Sequence, residues 1–208
     1  MKNGILEKIN PGVAEKLEFL ASFARKPGVI GAFAPSSAQL AVAMLRGCEL
    51  ETAKTVVEFG PGTGAFTKHI LARVGRETLF LALELDEGHA RRLGKRFSGV
   101  AVYNDSADKL PEYLARHRRA QTDYVISGLP WANMPPDAQE RILGAVVGAL
   151  SPSGSFTTFA YVHALWMPTA RRFRRRLEER FGSLEVSRIV WRNLPPAFVY
   201  RCRGGKRL

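Results

Sequence analysis

From about residue 54 onward, short apolar runs alternate with segments whose apolar residues recur every three or four positions. The first pattern suits a strand and the second an amphipathic helix. Strands are predicted at Thr55–Phe59, Thr78–Leu85, Val100–Tyr103, Asp123–Ser127 and Ser155–Tyr161. Helices follow them at Ala65–Val74, Glu87–Arg96, Leu110–His117, Pro136–Leu150 and Thr169–Phe181. Leu184–Val190 and Phe198–Arg203, joined by a loop bearing Pro195-Pro196, read as two closing strands paired antiparallel at an edge. Upstream, Val13, Leu17, Leu20 and Ala24 recur at helical spacing, Phe19 and Phe23 widen that face, and Pro27-Gly28 stops it. Ser36 or Ser37 can cap a second helix from Ala38 to Arg46. Alternation of this kind predicts an α/β fold with a mainly parallel sheet and helices on both faces. Ligands then sit beyond the carboxyl ends of the strands.

One domain is expected for 208 residues, with residues 1–50 as an N-terminal helical membrane or lid segment. A hydrophobic content of 46% with 24% charged residues describes a soluble globular chain. No apolar run approaches the roughly 18 residues of a membrane span. Glu7, Asn10, Pro11 and Glu15 break any secretory apolar core. Cys48 and Cys202 are too few for a disulfide framework or a metal cluster, so no metal is expected and a cytoplasmic setting fits. The net charge of +12 changes the picture more, because it implies attraction to a polyanion, either nucleic acid or an anionic bilayer. Arg171-Arg172-Phe173-Arg174-Arg175-Arg176 and the tail from Arg201 hold much of it.

The chemistry is concentrated at strand ends. The first strand runs into Glu58-Phe59-Gly60-Pro61-Gly62-Thr63-Gly64. Glycines there allow positive φ and close approach of a ligand to the backbone. The spacing is G-x-G-x-G rather than the G-x-G-x-x-G of dinucleotide sites. An acidic residue beside the loop suits a cationic ligand better than a pyrophosphate. This pattern resembles motif I of S-adenosylmethionine-dependent methyltransferases of the Rossmann-like class I type.

After the second strand, Glu84-Leu85-Asp86 offers a carboxylate for both hydroxyls of a ribose. Methyltransferases resembling this chain use the position of Glu84, and Asp86 is then free to cap the next helix. After the third strand, Asp105 can accept from an adenine amine and Ser106 supplies a neighbouring N–H, or either residue caps the helix that follows. After the fourth comes Ser127-Gly128-Leu129-Pro130-Trp131, similar to motif IV of amino-methylating enzymes. Aligned on Leu129-Pro130-Trp131, Gly128 stands where ribosomal RNA adenine dimethyltransferases carry Asn. That departure removes a side-chain carbonyl that would hold an adenine amine.

Gly31-Ala32-Phe33-Ala34-Pro35-Ser36-Ser37, the Gly-Leu-Pro-Trp stretch and the ending Phe198-Val199-Tyr200-Arg201 add to these motifs. Together they resemble the small bacterial phospholipid N-methyltransferases, which convert phosphatidylethanolamine stepwise towards phosphatidylcholine. The resemblance spans nearly the whole chain, and ornithine-lipid N-methyltransferases look similar. It implies a seven-stranded Rossmann-like sheet with an antiparallel edge strand and N-terminal helices, and S-adenosylmethionine as cofactor. The implied cofactor set is Glu58, Gly60, Gly62, Thr63, Gly64, Glu84, Leu85, Asp105, Ser106 and Ser127. Tyr161, His163 and Ser127 become catalytic candidates: Tyr161 or His163 accepts the ammonium proton or only orients the head group, with a carboxylate or water as the alternative acceptor and a structural role the alternative for His163. Phe33, Ser37, Pro130, Trp131, Arg192 and Arg201 become head-group candidates. Phe33, Trp131, Tyr161 and Trp166 offer aromatic faces to a methylated cation, and Arg192 or Arg201 offers charge to a lipid phosphate. The implied partner is a phospholipid head group on the anionic inner face of the membrane, met by the helix at 13–25 and the arginines at 171–176, with no nucleic acid. That helix has a competing reading as plain packing. An RNA adenine dimethyltransferase and a non-catalytic lipid-binding module are the alternative functions.

Overall fold

The computed structural model describes residues 37–206. Its centre is a seven-stranded sheet: β1 Thr55–Phe59, β2 Leu79–Leu83, β3 Ala101–Tyr103, β4 Thr122–Ser127, β5 Leu150–Tyr161, β6 Phe181–Val186 and β7 Ala197–Gly205. The spatial order is β3-β2-β1-β4-β5-β7-β6. The pairs β2–β3, β1–β2, β1–β4 and β4–β5 are parallel, and β7 runs antiparallel to both β5 and β6. The mainly parallel α/β sheet expected from the alternation is therefore present. The last pair lies at the edge as expected, with β6 outermost and the reversed strand β7 one place in.

The described helices are α1 Ala38–Met44, α2 Thr67–Leu71, α3 Glu87–Arg96, α4 Leu110–Arg116, α5 Pro136–Ala149 and α6 Pro168–Arg180. Two boundaries moved for clear reasons. The helix expected from Ala65 starts later, because the glycine loop ahead of it occupies a succession of turns up to Phe66. Strand β6 begins at Phe181 rather than Leu184. The Phe181 ring stacks on Phe156 at 5.8 Å, and its backbone pairs with Gly205.

Every residue of β1 is buried, as a parallel strand covered on both faces requires. Side chains alternate between two cores. On one face Val56, Phe80, Ala82 and Ile126 pack with Leu40 and Met44 of α1, Ile70 of α2 and Leu93 of α3. The other core is aromatic. Trp131, in the short 3-10 turn Trp131–Asn133 after β4, stacks on Phe173 of α6 at 4.8 Å and meets Phe156 edge-on.

Leu40, Met44 and Leu50 are fully buried. Within the N-terminal segment 1–50, these residues of 38–50 therefore pack into the domain core. The helix expected at 13–25 lies outside the described residues. No helix among the described residues is long and apolar enough to cross a membrane.

Replacing Trp131 with Ala should remove the stack and leave a cavity, lowering stability by about 3–5 kcal/mol. Replacing it with Phe keeps the ring contacts and loses the indole N–H bond, costing about 1 kcal/mol. Urea unfolding should show the midpoint moving in that order with an unchanged slope.

Candidate active site

The carboxyl ends of β1, β2 and β3 are stitched together by backbone bonds. Gly60 N–H donates to Leu83 O at 2.9 Å, and Glu84 N–H donates to Tyr103 O at 3.0 Å. Glu58, near the end of β1, is completely buried. Its Oε2 accepts from the Thr67 hydroxyl at 2.7 Å, while Oε1 has no hydrogen-bond partner. Burial, reinforced by the neighbouring charge of Glu84, pushes its pKa up to about 8 against the bond from Thr67.

The loop that follows places Gly60, Gly62 and Gly64 at φ of 62°, 52° and 80°. A Cβ on Gly60 would lie 2.9 Å from Leu129 Cδ2, and one on Gly64 would lie 2.5 Å from Phe97 Cε2. A Cβ on Gly62 would meet nothing within 4 Å. The outer glycines are thus fixed by packing, and the middle one faces open space where a ligand can approach. Glu84 locks this loop to the end of β2. Its Oε2 accepts from Gly62 N–H at 2.9 Å and its Oε1 from Asp86 N–H at 3.0 Å.

The two acids after β2 have separate tasks. Asp86 caps α3, accepting from His89 N–H at 2.6 Å. Glu84 faces the loop. Asn104, which the sequence reading passed over, donates through Nδ2 to the carbonyls of Glu84 and Leu85 at 2.9 Å each. Asp105 accepts from Ser106 N–H at 2.8 Å and from the Tyr113 hydroxyl at 2.9 Å. The Tyr113 ring in turn lies against Tyr103 at 4.1 Å. The Ser106 side chain makes no capping bond. Thr63 is exposed, and its carbonyl accepts from Arg96 at 3.2 Å.

At the end of β4 the backbone does the work. Gly128 N–H donates to Phe59 O at 2.7 Å. A Cβ on Gly128 would lie 2.8 Å from Gly60 O. No side chain fits there, so the absence of an Asn follows from the close approach of the two loops. Gly128, Leu129 and Pro130 are half-buried at this edge.

Ser127 and Trp131 need correction. Ser127 is fully buried, and its Oγ accepts from the Trp131 indole N–H at 3.1 Å and from Leu129 N–H at 3.3 Å. The Trp131 ring is 2% exposed and inside the aromatic core. Both side chains hold the turn from within, so Ser127 is not placed for catalysis and Trp131 presents no face to a head group.

Tyr161 ends β5 on the face that carries Glu58. Its ring meets Phe159 edge-on at 5.5 Å, and Phe159 meets Phe66 of the cofactor loop at 5.8 Å. An aromatic chain therefore links the loop to the end of β5, a connection the sequence reading missed. Burial raises the Tyr161 pKa, so the phenol keeps its proton at neutral pH and is unsuited to act as a base. His163 is exposed and stacks on Tyr161 at 5.5 Å.

Arg201 is corrected as well. It is 4% exposed, sits opposite Thr157 in mid-sheet, and donates to Glu185 at 2.9 Å and Ala43 O at 3.1 Å. It tethers α1 to β6 and β7, away from the strand ends. Ser37 caps α1 through Leu40 N–H at 3.1 Å, and its own N–H donates to Asn193 Oδ1 at 2.9 Å. Its role is structural. Arg192 lies exposed in the β6–β7 loop, Trp166 is 79% exposed, and Phe33 lies outside the described residues.

These residues fit S-adenosylmethionine. Glu58 offers a buried acceptor without a partner to a cationic group, Gly62 leaves the backbone open, and Glu84 has lone pairs left for a ribose diol. A carboxyl raised from 4.5 to about 8 holds its proton across that window in the folded state, but not in the unfolded chain. The cofactor-free protein should therefore lose stability as pH rises through it. A cation beside Oε1 favours the ionised form, so cofactor affinity should rise with pH over the same window, with proton release on binding. Glu58→Gln should remove both dependences, which calorimetry in buffers of differing ionisation heat would detect. Glu84→Ala should weaken cofactor binding by more than about tenfold, because it unlocks the loop and strips the diol of its partner.

No protein-family model matches the chain. Over 191 residues it is 35% identical to the ornithine lipid N-methyltransferase of Singulisphaera acidiphila, covering 90% of this chain and 95% of that one. Among solved structures it is similar to the O-methyltransferase TomG of Streptomyces achromogenes in complex with SAM, at TM-score 0.63 and 16% identity over 97% of this chain and 93% of that one. The O-methyltransferase of Bacillus cereus in complex with SAH gives TM-score 0.62 and 13% identity, covering 96% and 93%. Likeness at these identities establishes the Rossmann-like class I methyltransferase fold, and the cofactor expected from the sequence is the one these neighbours hold in its methylated or demethylated form. The extent and identity of the match to the Singulisphaera enzyme place this chain in its family, the lipid N-methyltransferases.

Proposed function

We propose that the protein transfers methyl groups from S-adenosylmethionine to the amine of an ornithine lipid at the anionic surface of a membrane. The observation that carries this reading is the 35% identity with an ornithine lipid N-methyltransferase along nearly the full length of both chains. It moves the preferred acceptor from phosphatidylethanolamine to ornithine lipid. Gly128 supports a lipid amine over an RNA adenine, since the site has no side-chain carbonyl where RNA-modifying relatives use one. The exposed arginines Arg171, Arg172 and Arg175 of α6 suit an anionic surface.

S-adenosylmethionine, when bound, supplies a methyl group already activated by its sulfonium. What remains for the chain is positioning and exclusion of water. Glu58, the 60–64 loop, Glu84 and Asp105 hold the cofactor. The lipid ammonium must first lose a proton. With the Tyr161 phenol held protonated by burial, water takes that proton, and the Tyr161 oxygen orients the amine by accepting one of its N–H bonds. With the cofactor held there, the methyl would pass to the amine lone pair and the thioether of the demethylated cofactor would be left. The half-buried rings of Phe159 and Tyr161 suit the methylated cation that results.

Radiolabelled S-adenosylmethionine, offered with ornithine lipid, phosphatidylethanolamine or ribosomal RNA separately, tests the reading. Label should enter ornithine lipid. Label in RNA alone would sink the lipid assignment, and label in phosphatidylethanolamine alone would reverse the choice of acceptor. Tyr161→Phe should lower the turnover rate roughly tenfold or more, within the range lost when one orienting contact goes. Cofactor affinity in that variant should stay constant. Unchanged turnover would remove Tyr161 from the mechanism.

A further inference from the structure

Two loops at the carboxyl edge of the sheet turn large apolar side chains towards solvent. In the 3-10 turn Val162–Trp166, Leu165 is 42% and Trp166 79% exposed. In the β6–β7 loop, Ile189 is 36%, Trp191 71% and Leu194 81% exposed. The loops adjoin each other. Val162 N–H donates to Pro196 O at 2.9 Å, Tyr161 pairs with Ala197, and Ala197 forms a bridge with Val190.

This exposure is built into the fold. Asn193, between Trp191 and Leu194, is 3% exposed. Its Oδ1 accepts from Ser37 N–H, and its Nδ2 donates to Pro195 O at 2.7 Å. The loop is pinned from inside by Asn193 and Val190 while Trp191 and Leu194 point out, the reverse of ordinary burial for such large apolar side chains. Arg171 Nε donates to Leu165 O at 3.3 Å and ties the other loop to α6.

The charge around these loops has one sign. Neither residues 161–177 nor residues 186–206 contain an Asp or Glu. Arg171, Arg172 and Arg175 from the first turns of α6, and Arg188 and Arg192 from the β6–β7 loop, are all exposed.

We propose that these two loops form a membrane-docking edge, with Trp166, Trp191 and Leu194 entering the interface of an anionic bilayer and the arginines lying over its head groups. The inference rests on the lipid N-methyltransferase reading and adds the surface that reaches the substrate. Tryptophan favours the level of the head groups, and aliphatic side chains gain from entering the acyl boundary. Leu165, Ile189 and Leu194 gain nothing against a sugar–phosphate backbone, which favours a bilayer over RNA. The position suits the chemistry, because Tyr161 immediately precedes the first loop and pairs beside the second. An amine at the plane of the head groups would meet the site at this edge.

The test uses the full-length protein and vesicles of phosphatidylglycerol with phosphatidylcholine, compared with phosphatidylcholine alone. Trp166→Ser, Trp191→Ser and Leu194→Ser combined should lower partitioning onto the anionic vesicles by at least about tenfold. Cofactor affinity and the thermal midpoint should stay unchanged. Lipids with brominated acyl chains should quench the parent's fluorescence, but not that of the triple variant, whose remaining Trp131 is in the core. Unchanged partitioning of the variant would overturn the proposal. So would a fall in its thermal midpoint, which would mean that these side chains pack within the chain. So would binding of single-stranded RNA, but not vesicles, through the same residues. Failure of the acceptor assignment appears elsewhere, in the label transfer, while vesicle binding and quenching stay intact.

Discussion

A carboxyl group buried with one oxygen unpartnered is costly, and Glu58 is such a group at the centre of this sheet. Water reaches neither oxygen, Thr67 satisfies only Oε2, and the charge of Glu84 nearby adds to burial in holding the proton on Glu58. A fold selected for stability alone would place an apolar residue there, as it does at Val56 and Val57. Retaining an acid makes sense where a cation arrives and offsets the burial. The glycine loop, open at Gly62, is held against the ends of β1 and β2 by the grip of Glu84 on Gly62 and of Asn104 on the carbonyls after β2.

The sheet divides its labour between faces. One face carries Glu58, Phe159 and Tyr161, continuous with the core under α1, α2 and α3. The other carries the Trp131–Phe173–Phe156–Phe181 stack, which fixes α6 and the turn after β4. Because successive side chains alternate, a motif at a strand end is split between the faces. Within Ser127-Gly128-Leu129-Pro130-Trp131, the serine and tryptophan support the turn from the core and the middle three residues lie half-buried at the strand end.

This alternation explains what could be read from the sequence. The strand–helix rhythm marked the sheet, since fully buried parallel strands are dense apolar runs. Glu58, the glycines, Glu84 and Asp105 stand out in the sequence because acids and glycines gather where the apolar strand runs end. Trp131 and Arg201 were misplaced, since the residue type names a chemistry while the register decides the face and the height in the sheet. Arg201 is four positions into β7, and β7 starts beside the carboxyl end of β5, so the residue faces the middle of the sheet. Asn104, Phe66 and Phe159 were missed because each acts through a contact distant in sequence. Trp166 reads in the sequence as an aromatic face for a methylated cation, and the exposed Trp191 gives no signal of its own, since a tryptophan is expected inside unless its neighbours hold it out.

The approach of Gly128 to Gly60 constrains the acceptor as much as the cofactor. With no room for a Cβ at 128, the β4 turn has no side chain at that position for the acceptor we propose, and its neighbours Leu129 and Pro130 are apolar. A fixed side-chain amide selects a planar amine with two donors in set directions. A turn without one, beside apolar residues, is less demanding, because it tolerates an amine that loses N–H donors as it gains methyl groups. On the proposed reading, such tolerance is what an aliphatic amine receiving more than one methyl requires. The same substitution that removes the adenine contact therefore leaves a site suited to a lipid amine, and both consequences follow from one backbone contact between the ends of β1 and β4.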